Sequence, residues 1–384
     1  MKNRPEGYKG FEIGPIRPPS EAESLLLRVT RNCPWNKCRF CGLYKTERFS
    51  VRPKEHILMD LEIIKECIEA FRKADDFPDK RAVIIKDLRN SLRDDEDLGY
   101  HSALAWYRSG MRSVFLQDAN TMVIKPDDMV SILHKIKSYF PEVERITSYA
   151  RSHTISRMSD EDLSRIAQAG LNRIHIGMES ASDEVLHLVE KGVDKITHIT
   201  AGKKIKQAGI ELSEYYMPGL GGRKYLSKNA LETADAMNKI NPDFIRIRTL
   251  AVPDYVPLAE DYASGVFSRT NDIEMAEELL LFIGGLEGIT STVKSDHILN
   301  LIPEVEGSLP EDKNKMIAAL KWFLGLTPHE QTLFRIGRRL GFVNTKKDLN
   351  DPQLKNRIEK VVAENNITEE NVDIITDELM KRFI

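Results

Sequence analysis

Cysteine is scarce in this chain, four residues among 384, and that scarcity excludes a disulfide-stapled scaffold. Long apolar runs are missing too. The longest, such as "AEELLLFIGGL", are too short and interrupted to span a bilayer, and the N-terminus "MKNRPEGYKGFEIG" has no apolar stretch of a signal peptide. Nor does charge of one sign dominate: Lys and Arg total 56 against 59 Asp and Glu, a formal net charge of -3. No global field therefore draws a polyanion, and nucleic acid is not the expected partner. These absences predict a cytoplasmic protein with no membrane association. What is present is 41% hydrophobic residues on a chain long enough to bury a large core, which predicts one big α/β domain with a smaller appendage.

Three of the four cysteines crowd into "RNCPWNKCRFCGLYK" (31–45): Cys33, Cys38 and Cys41. In a reducing compartment clustered thiols are metal ligands or catalytic groups more often than disulfide partners. The fourth, Cys67, lies in "DLEIIKECIEAFRKA", where apolar residues recur at helical spacing, so it is expected to be a buried structural thiol. Three thiolates suit zinc or iron. A structural zinc site closes with a fourth ligand, and the nearest candidate, His56, lies fifteen residues on within a helical pattern. Three ligands on one short loop point instead to an iron-sulfur cluster with one iron left open to another molecule.

The rest of the chain alternates apolar strands with amphipathic helices, which argues for a parallel sheet or barrel. "LLLRVTRN" (25–32) is a predicted strand running into the Cys loop, followed by a helix over 53–74 and a polar insertion, "DDFPDKRAVIIKDLRNSLRDDEDLG". A second helix-strand pair ends at "SVFLQDAN". Then come a helix (126–140), "RITSYAR", a helix (159–169), "RIHIGME" and one helix around 183–208 that contains Gly192. "IELSEYYM" leads into the turn "PGLGG", a helix over 226–240 and the last strand, "DFIRIRTL". That makes six β/α units. Beyond residue 255 the segments 268–288, 310–326, 327–341 and the charged tail predict a helical domain. The expected division is an N-terminal extension (1–24), a core barrel (25–255) and a helical C-terminal domain (256–384).

A first strand delivering a three-cysteine loop, followed by six β/α units, resembles the radical S-adenosylmethionine (radical SAM) superfamily and its partial (β/α)6 TIM-like barrel. "CRFC" (38–41) is similar to that family's C-x-aromatic-C ending, although four residues separate Cys33 from Cys38 where the commonest spacing has three. "RIHIGMESASDEVLHLVEKG" and "GIELSEYYMPGLGG" further resemble the branch with oxygen-independent coproporphyrinogen oxidase. The resemblance, over residues 20–255, implies a [4Fe-4S] cluster on Cys33, Cys38 and Cys41 and S-adenosyl-L-methionine on the open iron. It also implies reductive cleavage to a 5'-deoxyadenosyl radical that takes hydrogen from substrate, and an electron donor such as flavodoxin or ferredoxin.

Residue by residue, the resemblance places Gln117, Asp118 and Asn120 near the methionyl amino group, although the family's glycines are absent there. Glu179 stands at a polar ligand-binding position and Lys191 at a basic one for the methionyl carboxylate. Against that role, a lysine at a helix end is ordinarily solvated. Tyr149, where the branch has an acidic residue, and Arg151 join the cofactor-binding set. Glu214 or Tyr215 is expected near the ribose, and backbone at Phe40 and Leu250 near adenine.

Strand alternation aims Arg28, Thr30, Thr147, Tyr149, Arg151, Arg173, His175, Glu179, Arg246 and Arg248 into the lumen, and Ile174, Ile176, Met178, Ile245 and Ile247 outward. Five arginines against one glutamate are too costly to bury unless paired or solvated. Strand-end arginines in ordinary surface pairs are the competing explanation. Arg173, His175, Arg246 and Arg248 are the candidates for acting on a small anionic substrate, carboxylate or phosphate, which a guanidinium fork suits. Ser295, Asp296, His297 and Asn300 are candidates to reach over the barrel mouth, against a local Asx-type turn. Fold resemblance leaves the substrate open. One alternative is a cluster-containing protein that binds or delivers heme, with His297 and His329 as candidate axial ligands. A tRNA-modifying enzyme is the other.

Overall fold

The computed structural model describes residues 4–382, which fall into two compact units. The first gathers the chain up to Asn36, then Thr46–Ile176 and Lys204–Glu211; the second holds Lys37–Lys45, Gly177–Lys203 and the chain from Leu212 onward.

In the first unit, strand β1 (Leu25–Arg28) stops at Val29, and the residues after it, β2 (Thr30–Arg31), pair antiparallel with β3 (Ser50–Val51). The single strand expected over 25–32 is thus two elements, and the chain turns away from the sheet just before Cys33. Helix α1 (Lys54–Asp76) buries Ile57, Leu61, Ile64, Cys67, Ile68 and Phe71, one stripe at three- and four-residue spacing. Cys67 is buried as expected. The stretch read as a polar insertion forms a further helix, α2 (Arg81–Ser91), which buries only Leu88 and leaves Ile84 and Ile85 half-buried among charged neighbours. Helix α3 (Asp97–Arg108), β4 (Ser113–Gln117), α4 (Pro126–Tyr139), β5 (Arg145–Ala150), α5 (Ser152–Arg157), α6 (Asp160–Gln168) and the start of β6 (Arg173–Glu179) follow. Pro126 opens α4 with Asp127 and Asp128 in its first turn, and Ser159 caps α6 by accepting the Asp162 N–H. Strands β1, β4, β5 and β6 run parallel in that order, with Leu26 beside Phe115, Phe115 beside Thr147 and Thr147 beside Arg173.

In the second unit, the long helix expected over 183–208 is broken into α7 (Asp183–Leu188) and α8 (Lys195–Gln207), the latter ending in the first unit. Gly192 sits between them at φ 73°, a left-handed conformation that favours glycine. Strand β7 (Glu211–Tyr216), α9 (Gly222–Ile240), β8 (Phe244–Ile247), α10 (Pro257–Ala263) and α11 (Asp272–Gly285) come next. The sheet does not end at residue 255. Strand β9 (Thr292–Lys294) lies parallel to β8, and β10 (Gly307–Ser308) is antiparallel to β9, so 256–384 is not purely helical. These strands are too short to show alternation in the sequence. Helices α12 (Lys313–Leu324), α13 (Pro328–Arg339), α14 (Pro352–Glu364) and α15 (Val372–Lys381) complete the unit. Asp272 at the start of α11 is buried between Arg335 (3.0 Å) and Arg339 (2.6 Å) of α13, which locks the two helices. Among the described residues no helix is long and apolar enough to cross a membrane.

Candidate active site

In parallel β/α sheets, ligands bind beyond the carboxyl ends of the strands. In the first unit that end of β1 carries Cys33. Asn32, at φ 67°, donates its N–H to Asp118 Oδ2 (3.3 Å) and its side-chain amide to the Arg48 carbonyl (2.6 Å). Arg28 Nη2 pairs with the same Asp118 oxygen at 3.2 Å. Asp118, fully buried, therefore ties the end of β1 to the residue before Cys33. Arg151, just past β5, lies over the Trp35 ring at 5.1 Å and steadies the next part of the loop.

The second unit holds the rest of the loop. Cys41 donates its N–H to the Cys38 carbonyl at 3.3 Å, so both thiols sit on one turn with Phe40 between them. Phe40 packs on an apolar cluster that includes Val189, Leu250 and Leu258. Lys191 Nζ lies 5.5 Å over the Phe40 ring and 3.5 Å from Glu179 Oε1, with both charged side chains 13% exposed. Burial drives the Glu214 carboxyl well above the usual range; Glu179 adds to that, and Lys191 opposes it. A Cβ on Gly177 would fall 2.3 Å from Glu179 Oε1, so glycine there leaves room for the curled glutamate. Lys191 is thus not a solvated helix-end lysine: it belongs to a small charged cluster beside the loop.

Elsewhere in this unit Arg246, buried, donates to Ser213 Oγ (3.1 Å) and pairs with Asp296, while Arg248 lies 4.8 Å over the Tyr215 ring. Asn300 braces the same strand end: its Oδ1 accepts the Thr249 N–H (3.1 Å) and its amide donates to the Ile247 carbonyl (2.9 Å). Arg338 and Arg339 hold the Leu299–Leu301 carbonyls. Burial, then the neighbouring Arg248 charge, lowers the His297 imidazole to about 4, so it is neutral at pH 7.

Several of the sequence-based candidates have partners within the protein. Gln117 spends its side chain on Gly14 N–H (2.8 Å) and the Ile16 carbonyl (2.7 Å), pinning the N-terminal segment. Asn120 is occupied by Thr154 and by the Arg151 N–H. Arg173 pairs with Glu211 at 2.7 Å, and His175 Nε2 lies 3.8 Å from Glu21 Oε1; both sit in the first half of β6, away from its carboxyl end. Tyr149 packs its ring between Phe115 and His175. The Leu250 amide is taken by the Pro218 carbonyl. The expected imbalance of five arginines against one glutamate shrinks, because Arg28 pairs with Glu12 and Asp118, Arg173 with Glu211 and Arg246 with Asp296, carboxylates none of which the alternation argument counted. Two residues that the sequence hid are Arg39 and Asp261, which pair across 222 positions with no local signal.

Known proteins supply the deciding observation: the Radical SAM superfamily profile matches residues 27–232, more than half of the chain. The chain belongs to the Radical SAM superfamily. It is 26% identical over 124 residues to tRNA uridine(34) acetyltransferase of Methanocaldococcus infernus, and 23% identical over 123 residues to its counterpart in Methanocaldococcus jannaschii. Each match covers 31% of this chain and 22% of the relative, so the chain spans about a fifth of the length of these curated relatives. Coproporphyrinogen III oxidase from Escherichia coli, a Radical SAM enzyme, superposes with a TM-score of 0.42 at 14% identity, covering 64% of this chain and 49% of that one.

Radical SAM membership brings two cofactors, a [4Fe-4S] cluster and S-adenosylmethionine. The donor set fits the first: Cys33, Cys38 and Cys41 are half-buried, and none is in a disulfide. Among the described residues no three His, Cys, Asp or Glu side chains are gathered around one point as metal ligands. The Lys191–Glu179 pair beside Phe40 fits the second, offering one cation and one anion to a zwitterionic amino acid.

Proposed function

We propose that this chain is a radical SAM enzyme in which Cys33, Cys38 and Cys41 hold the cluster and the Lys191–Glu179 pair orients the methionyl end of S-adenosylmethionine. When bound, these cofactors supply reductive cleavage of the sulfonium and a radical that removes hydrogen from substrate. The observation that carries the reading is the placement of Lys191, largely buried, over the phenyl ring between two loop cysteines. A buried cation costs free energy unless an anion meets it, and Glu179 at 3.5 Å is such an anion, which makes the pair a match for the two charges of an amino acid. Lys191 binds the carboxylate, Glu179 takes the ammonium, and Phe40 excludes water from one side.

The substrate in this reading is a small anionic molecule held by Arg248, with Arg246 oriented by Asp296 and neutral His297 as a hydrogen-bonding neighbour. Replacing Arg248 with Ala is expected to leave uncoupled formation of 5'-deoxyadenosine intact while lowering turnover of substrate. Equal losses in both would assign Arg248 to the cofactor or to folding.

The direct test is anaerobic reconstitution with iron and sulfide, reduction with dithionite, and assay for 5'-deoxyadenosine and methionine. Both products are expected; a full four-iron cluster that forms neither would overturn the reading. A second reading, a tRNA-modifying enzyme, is favoured by the names of the two curated relatives. Salt-dependent retention of tRNA on filters would support it, since phosphate contacts release counterions. Absence of binding at low salt would remove it.

A further inference from the structure

Arg39 stands between Cys38 and Phe40, and its backbone and side chain are both clamped. Its N–H donates to the Val189 carbonyl at 2.9 Å, and its own carbonyl accepts the Leu258 N–H at 2.9 Å. Its guanidinium meets Asp261 of α10 through two parallel bonds, Nε to Oδ2 at 2.6 Å and Nη2 to Oδ1 at 2.7 Å. Nη2 also reaches the Pro257 carbonyl at 3.4 Å. Three residues on, Gly42 lies so close to the segment before α10 that a Cβ would stand 2.3 Å from the Tyr255 ring. Helix α10 lies outside residues 27–232, the part the family profile matches.

We propose that Arg39 and Asp261 are positioning residues for the iron-sulfur cluster, locking the Cys38–Cys41 turn to α10 so that both thiols are presented in one geometry before iron arrives. The inference rests on the reading of these cysteines as cluster ligands. An unclamped loop would have to be ordered when the metal binds, and that entropy would be lost from affinity. The bidentate guanidinium-carboxylate pair is the geometry that removes rotational freedom from the loop, which a single ammonium contact would not.

The test uses the full chain with Arg39→Ala, Asp261→Ala and the charge swap of Arg39→Asp with Asp261→Arg. In the metal-free protein, alkylation of Cys38 and Cys41 is timed by mass spectrometry, with buried Cys67 reporting global unfolding. Both single variants should speed alkylation of the loop thiols roughly three- to tenfold while Cys67 stays protected. Losing the arginine charge alone would slow alkylation and losing the aspartate alone would speed it, so a gain in both identifies mobility. After reconstitution, the paramagnetic resonance spectrum of the reduced cluster should broaden in the singles and sharpen again in the swap. If Cys67 opens in an Ala variant, Arg39→Lys and Asp261→Asn are read by the same two measurements. Wild-type alkylation rates and spectra in the singles, or no recovery in the swap, overturn the proposal. Retention of a complete cluster by Cys38→Ala would instead mean that the ligand reading itself had failed.

Discussion

The two ends of strand β6 carry the same kinds of residue and put them to opposite use. At its start, in the first unit, Arg173 pairs with Glu211 and His175 lies 3.8 Å from Glu21, so both are bound up in holding the structure. At its far end, in the second unit, Glu179 meets Lys191 beside the cysteine turn, and Glu214 is buried nearby with its carboxyl pushed upward. Charge on a strand is thus no guide to function until its position along the strand is known. At the amino end neighbouring segments supply the partners; at the carboxyl end Glu179 and Lys191 meet each other beside the cysteine turn, where the proposed function places S-adenosylmethionine.

The comparison breaks most sharply at the loop. Cys38→Ala should lose the cluster and all formation of 5'-deoxyadenosine, measured by iron content and product assay. At the carboxyl end of β6, Lys191→Ala should weaken S-adenosylmethionine binding roughly 10- to 100-fold, the value of a charge-assisted hydrogen bond, without loss of iron; titration calorimetry decides. At the amino end the expected effects fall on stability. His175→Ala should cost about 1–3 kcal/mol by leaving Oε1 of the buried Glu21 carboxylate unpaired while Ser24 and Arg145 keep Oε2, with cofactor affinity unchanged. Arg173→Ala should cost less than about 1 kcal/mol, because its pair with Glu211 is partly exposed. Denaturant titration reads both.

Two buried carboxylates sharpen the contrast through pH. Burial pushes Glu21 upward, but its bonds to His175 and Ser24 and the Arg145 charge outweigh that and hold it below its usual 4.5. Its contribution is present above that pH and is lost in acid as the group protonates. Glu278 does the reverse. It accepts from Tyr216 (2.7 Å), Gly219 N–H (2.9 Å) and Asn229 (2.6 Å), yet burial dominates and raises it from 4.5 to about 7. Between those values the unfolded chain is ionised while the folded one keeps the proton, so stability falls as pH rises and levels off above about 7, a change of about 3 kcal/mol. Melting of Glu278→Gln at pH 5 and pH 8 should show this slope removed, whatever the variant's own baseline.

Much of the architecture was legible because it repeats with a period. The apolar stripe of α1 and the apolar cores of β4 to β8 recur at the spacings that helices and buried strands impose, and six β/α units could be counted from them. Helix α2 was illegible because it buries one side chain and needs no stripe, and β9 because three residues show no alternation. Of the site, the cysteine loop and the Lys191–Glu179 cluster could be named from motifs. Gln117 and Asn120, in an equally suggestive segment, proved to be occupied by Gly14, Ile16 and Thr154.

The sequence by itself determined the alternating α/β order, the thiol-rich loop after the first strand and the burial of Cys67, since each depends on neighbours within a few residues. Only the tertiary structure decided which charge pairs with which. Glu21 reaches His175 across 154 positions and Asp261 reaches Arg39 across 222, and a carboxylate's partner at such a distance is set by how the chain packs, with nothing local to record it.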